Sequence, residues 1–254
     1  MSDRTLEQNV RFYDTESEVY DCSRYGTPAG RRVDLFHKTV LDNMLCAELS
    51  NTARVLEIGC GTGRLIEHIA SHGYEVYGMD CSENMLALAR KRLGTKGLNN
   101  VTFVRADARR MPFHDDSFDA IYGILVVNLI PNYLSLFESA ARVLKSDGIF
   151  LFNVPNLLCI YLPAAIYVNI RRKTTGSNKS GYRYSHWFLP NEWRRPLLGL
   201  GFDIEEILGQ PPGLKISTRV PIKPLERWAT CFSPSVYIKA RLKSARKRGC
   251  VGAV

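Results

Sequence analysis

Residues 55–63 read VLEIGCGTG. Three aliphatic residues around Glu57 suit a buried parallel strand, and Gly59, Gly61 and Gly63 then turn the chain tightly into a helix that begins near Arg64. Glycine at every second position removes each Cβ that would hold a ligand off the backbone, and the helix N-terminus beyond offers free N–H groups. A dinucleotide fingerprint, G-x-G-x-x-G, would place its third glycine at position 64, where this chain has Arg64. The spacing here is G-x-G-x-G.

Outward from this stretch, strand and helix patterns alternate. Strands are predicted at 54–58, 75–79, 101–105, 118–122, 149–153, 203–208 and 235–240, and helices at 64–72, 82–93 and 133–144, with another opening at Pro190. Ser82 reads as an N-cap with Glu83 in the first turn. Such alternation predicts an α/β protein, a doubly wound, Rossmann-like parallel sheet with helices on both faces. Asp80 ends the second strand, placed so that its carboxylate can accept both hydroxyls of a ribose. Asp107 follows the third, so two acids stand at neighbouring strand ends, where ligands of open α/β sheets lie. Upstream, residues 10–25 suit a short amphipathic helix and residues 30–49 a core-packed one, on which His37 reads as a structural residue.

In this order and at these separations, VLEIGCGTG, VYGMDCSENML, FVRADARRMPF and FDAIYGILVVNLIP resemble the four successive motifs of the class I S-adenosylmethionine-dependent methyltransferases, over residues 53–153. The resemblance is to the small-molecule type, and it implies a seven-stranded sheet whose last strand is antiparallel, inserted between the fifth and sixth. It also implies S-adenosylmethionine as methyl donor and S-adenosylhomocysteine as product. Glu57 belongs to the implied cofactor site; Gly59, Gly61 and Gly63 lie against the methionine part, and Asp80 holds the ribose. Asp107 and Ala108 meet the adenine, and Gly123, Ile124 and Leu125 border the sulfonium. Gly123 and Ile124 stand where relatives often carry small polar residues, so backbone contacts are expected there. Residues 1–50 would form an N-terminal helical cap in which Tyr13 or Tyr20, with Arg24, closes over the methionine end; as a bare sequence the same aromatics read equally as staples. Residues 51–254 would be the catalytic domain, with an acceptor-pocket insertion at about 155–188.

With 254 residues and 45% hydrophobic content the chain can bury a substantial core. Seven cysteines, an odd number without C-x-x-C pairing or zinc-spaced histidines, read as reduced thiols. No secretory signal or span-length apolar run is visible, so a cytoplasmic protein is expected. No metal constellation is read: Asp115, Asp116 and Asp119 belong to a turn before the fourth strand.

Charge is uneven. From Arg171 onward there are 17 lysines and arginines against five acids, within a whole-chain net of +9. Residues 157–170, LLCIYLPAAIYVNI, followed by basic residues 171–173, are too short to span a bilayer; they suit a lid over the acceptor, a buried helix or an interfacial segment resting on lipid. The stretch 182–201, YRYSHWFLPNEWRRPLLGLG, offers His186 and Tyr184 as acceptor-facing candidates, with a structural hydrogen bond as the other reading of His186. Asn153-Val154-Pro155-Asn156 is a turn, not the N-P-P-Y-type grip on a flipped base: it ends the fifth strand and lacks the terminal aromatic. The expected activity is methyl transfer to an O, N or C atom of a small molecule. An RNA-modifying enzyme using the basic third, or a non-catalytic partner protein of the same fold, are the alternatives.

Overall fold

The computed structural model describes residues 3–158, 185–210 and 233–243. Most of the apolar segment after the fifth strand, Tyr184, most of the proline-rich stretch before the last strand and the basic end lie outside these residues.

Seven strands form one sheet: β1 (Arg54–Ile58), β2 (Glu75–Asp80), β3 (Val101–Arg105), β4 (Phe118–Gly123), β5 (Leu144–Pro155), β6 (Phe202–Gly209) and β7 (Ser235–Leu242). Their order is β3-β2-β1-β4-β5-β7-β6. The first five strands pair in parallel, while β7 runs antiparallel between β5 and β6. The order reverses at β1, whose neighbours are β2 and β4, so a crevice opens there at the carboxyl ends.

Helices α1 (Asp3–Glu16), α2 (Tyr20–Tyr25), α3 (Pro28–Met44), α4 (Arg64–Ala70), α5 (Glu83–Thr95), α6 (Tyr133–Val143) and α7 (Pro190–Gly199) surround the sheet. Successive strand side chains point to opposite faces, so β1 feeds two cores. Leu56 and Ile58 join Leu136, Phe137 and Ala140 of α6 and Trp193 and Leu197 of α7. Val55 joins Phe36, Leu41 and Met44 of α3, Ile66 and Ile69 of α4, and Leu86 of α5.

Local chemistry sets the boundaries. Thr27 caps α3 by accepting the Gly30 N–H at 3.0 Å, with Pro28 in the first turn. Ser82 accepts the Met85 N–H at 3.1 Å to start α5. Most expected boundaries shift by one or two residues, and the larger departures fall in three places. The N-terminal helix begins at Asp3 and breaks at a 3₁₀ turn over Ser17–Val19. α3, expected to run to Leu49, ends at Met44 and is followed by a 3₁₀ turn over Cys46–Glu48. β5 starts at Leu144, because Leu144 pairs with Phe118 before a bulge, with Asp147 at φ 64°, returns the strand to register at Ile149.

Candidate active site

The glycine loop bends over the end of β1. Gly59 and Gly61 have φ values of 64° and 52°, a region that L side chains avoid. A Cβ at Gly59 would meet Val126 Cγ2 at 2.4 Å, whereas one at Gly61 would project into open space. Asp80 ties this loop to β2: its Oδ2 accepts the Gly61 N–H and its Oδ1 the Ser82 N–H, both at 2.9 Å. Burial pushes the Asp80 carboxyl above its ordinary value, against the lowering effect of the backbone donors.

A cavity of about 760 Å³, counting its open mouth, lies above this loop. Its floor is Gly59, Gly61, Asp80 and Ala108, and Ile124, Leu125 and Leu129 form the wall beyond β4. Its roof is one face of α1, since Leu6, Asn9, Val10 and Tyr13 recur at helical spacing and all line it. Hydrogen bonds from both sides pin the roof across the crevice. Asn9 Nδ2 donates to the Leu129 carbonyl at 3.0 Å, and the Ser82 hydroxyl donates to Asp14. Asn9 Oδ1 is buried without a partner, an acceptor left over in a mainly apolar lining.

On the other side of the loop is a smaller, more polar cavity of about 350 Å³, lined by Tyr20, Tyr25, Glu57, Thr62 and Arg64 among others. Glu57 is 3% exposed and accepts the Tyr122 hydroxyl at 2.9 Å; burial pushes its carboxyl up to about 8. Arg64 is paired with Asp34, lies 4.0 Å from the Tyr25 ring centroid, and donates to His37 Nδ1 at 3.2 Å. Burial, with the Arg64 charge, pushes His37 down to about 3. The ring is therefore neutral, with Nδ1 accepting.

Leu125 lines both cavities in a left-handed conformation, φ 62°. It is held there by Asn153, 1% exposed, whose Oδ1 accepts the Leu125 N–H at 2.6 Å while its Nδ2 donates to Ser235 of β7 at 2.9 Å.

The larger cavity thus gathers Tyr13, Gly59, Gly61, Asp80, Ala108 and Ile124, and the smaller one adds Glu57. Gly63, Gly123, Arg24, Asp107 and His186 do not line either. Gly63 and Gly123 make room instead for Ala89 and Val126, which a Cβ would approach to 3.0 and 2.9 Å. Arg24 lies over the Tyr20 ring, 4.7 Å from its centroid. Asp107 caps a 3₁₀ turn through the Arg109 N–H and pairs with the Arg109 guanidinium at 2.7 Å. His186 Nε2 is 2.9 Å from Glu192 Oε1, the ring stacks on Tyr133, and the backbone N–H donates to the Asn128 carbonyl at 2.8 Å. Tyr184 lies outside the described residues. Sequence reasoning missed Asn9, Arg64 and Asn153 as parts of the site. The recurrence of Leu6, Asn9, Val10 and Tyr13 was the available signal for Asn9.

Residues 56–152 match the family described as methyltransferase domain. The demethylmenaquinone methyltransferase of Geobacillus kaustophilus is 35% identical over 99 residues, 37% of this chain and 42% of that protein. The sterol 4-C-methyltransferase strm-1 of Caenorhabditis elegans is 33% identical over 105 residues, 41% of this chain and 31% of that protein. This chain therefore spans less than half the length of these curated relatives. Among solved structures, the Haemonchus contortus phosphoethanolamine N-methyltransferase 2, in complex with phosphomonomethylethanolamine and S-adenosylhomocysteine, superposes with a TM-score of 0.68 at 20% identity, covering 96% of this chain and 61% of that one. At that identity the likeness establishes the fold. The chain carries a methyltransferase domain of the class I fold.

Proposed function

We propose that this chain binds S-adenosylmethionine and transfers its methyl group to a small-molecule acceptor by in-line displacement. The supporting observation is the pair of adjoining cavities, one mainly apolar and one polar, that share Gly59 and Gly61 of a glycine-rich loop tied to Asp80. The residues fit that cofactor: Gly61 leaves open the space a Cβ would take, and Asn9 keeps a buried acceptor free. When bound, the cofactor supplies an activated methyl on a sulfonium with a good leaving group.

The protein's part is alignment and exclusion of water. On this reading Asp80 accepts from the ribose hydroxyls, Gly59 and Gly61 present backbone to the methionine part, and Ala108 packs against the adenine. Glu57 faces the amino-acid end from the smaller cavity, with Tyr13 and the rest of α1 closing the site. Residues 1–50 act as its cap and residues 155–188 as the acceptor-pocket insertion. His186 and Tyr184 are the acceptor-facing candidates. The relatives' names, a demethylmenaquinone and a sterol methyltransferase, favour a small-molecule acceptor. A cytoplasmic setting belongs to the same reading.

Calorimetry tests the cofactor assignment. Asp80→Ala should weaken S-adenosylmethionine binding by about 1.5–3 kcal/mol, since charge-assisted hydrogen bonds are removed; unchanged affinity takes Asp80 out of the site. A panel of small acceptors, followed by S-adenosylhomocysteine release with a His186→Ala control, tests the transfer itself.

A further inference from the structure

The end of α4 and the turn beyond it face α3 at a point that lines neither cavity. We propose that Asp42, His68 and His72 form a site for a divalent transition metal of the zinc class, clamping α3 to α4. His68 and His72 are one helical turn apart, with ring centroids separated by 5.1 Å. Asp42 Oδ1 is 2.7 Å from His68 Nε2 and 3.4 Å from His72 Nε2, and the three ligand atoms lie within 4.8 Å of one another.

The orientation of His72 carries the argument. Its Nδ1 is 3.0 Å from the His68 carbonyl oxygen, which can only accept, so Nδ1 holds a proton. In the neutral ring the Nε2 lone pair then faces the lone pairs of the Asp42 carboxylate. Two lone pairs at 3.4 Å repel unless a positive charge stands between them, and a metal ion or a second ring proton would supply it. An Nδ1–H to carbonyl bond is also the outer-shell contact that fixes the tautomer of metal-binding histidines. Stacking on Tyr74, at 6° between the ring planes, holds the ring in place.

Bond lengths of about 2.0–2.2 Å in a tetrahedral zinc site put ligand atoms roughly 3.3–3.5 Å apart. The His72–Asp42 distance already matches. The His68–Asp42 pair must open by less than about 1 Å, and His68 must carry its ring proton on Nδ1 instead of Nε2. All three side chains are partly exposed, so water can complete the coordination. The same helix pair is already joined at its other end by Asp34 and Arg64. This corrects the sequence expectation of no zinc-spaced histidines: His68 and His72 stand at H-x-x-x-H spacing, and the third ligand lies 26 residues before the first of them, where no local motif marks it.

The test uses the full chain stripped with EDTA and titrated with zinc by calorimetry and with cobalt by visible absorption. The expected result is one saturable equivalent, the d–d bands of a low-coordinate cobalt ion, and a Tm rise of about 5 °C or more at a hundredfold excess over Kd. Asp42→Asn and His72→Gln should each weaken binding at least tenfold. Both side chains are partly exposed, and His72→Gln carries the test if Asp42→Asn fails to fold. Absence of saturable binding in the wild type overturns the site. Undiminished binding by the variants places the ion on other groups and overturns it equally.

Discussion

Glu57 and His37, both buried on the α3 side of the sheet, give the protein opposite responses to pH. Burial raises Glu57 from 4.5 to about 8, so the folded state keeps a proton that the unfolded chain releases. Stability from this group is complete below about 4.5 and is lost as pH rises through 8. His37 is lowered from 6.5 to about 3; its contribution is present above 6.5 and is lost as pH falls through 3. Between 6.5 and 8 only the Glu57 slope acts between these two. Denaturant melts should show wild-type stability falling across that window and a flatter dependence in Glu57→Gln, which can still accept from Tyr122. In acid, His37→Gln should remove part of the stability loss between 6.5 and 3. A cationic ligand in the smaller cavity would lower the Glu57 pKa and expel its proton. Near neutral pH, the calorimetric enthalpy of S-adenosylmethionine binding should therefore vary with buffer in the wild type and not in Glu57→Gln. Buffer-independent heats in the wild type would separate Glu57 from the cofactor.

At the scale of elements, the parts legible in the sequence are those whose local chemistry agrees with their packing. β1, α4 and α5 carry a buried aliphatic run, a glycine turn and a serine cap, and each lies where the pattern put it. α1 was harder to read because the face it turns inward covers a cavity, not a core: Asn9 breaks its apolar stripe, and nothing in the spacing marks Asp3 as the start. Asn153 was illegible for another reason. Its partners, Leu125 and Ser235, are 28 and 82 residues away, and only the placement of β7 beside β5 brings them together. It links the last strand to the strained residue that divides the two cavities. A left-handed leucine costs about 1–2 kcal/mol and persists only where its surroundings hold it. Asn153→Ala should therefore cost about 1–3 kcal/mol in urea melts, from the unpaired groups it leaves behind. It should also weaken S-adenosylmethionine binding, since Leu125 would leave its position; a variant as unstable as this but with full affinity would confine Asn153 to the fold.

Over the whole molecule, folding and binding draw on different parts of the chain. Both hydrophobic cores are built from residues at or beyond Phe36, and no residue of α1 belongs to either. What α1 does contribute is the roof of the larger cavity, pinned through Asn9 to Leu129 on one side and through Asp14 to Ser82 on the other. Its loss should expose the crevice without dissolving the sheet. A chain lacking residues 1–16 is thus expected to keep its far-UV circular dichroism and a cooperative melt, because both cores are assembled without α1 and only those of their residues that line the crevice, such as Ile124 and Ile130, lose cover. Its affinity for S-adenosylmethionine should fall at least tenfold, since the roof excludes water and holds the acceptor at Asn9. Restoring the helix but with Asn9→Leu should recover the apolar cover and leave that buried acceptor absent, giving an intermediate affinity. Equal affinity in the truncated and intact chains would mean that the cofactor is held from below alone, by the glycine loop and Asp80.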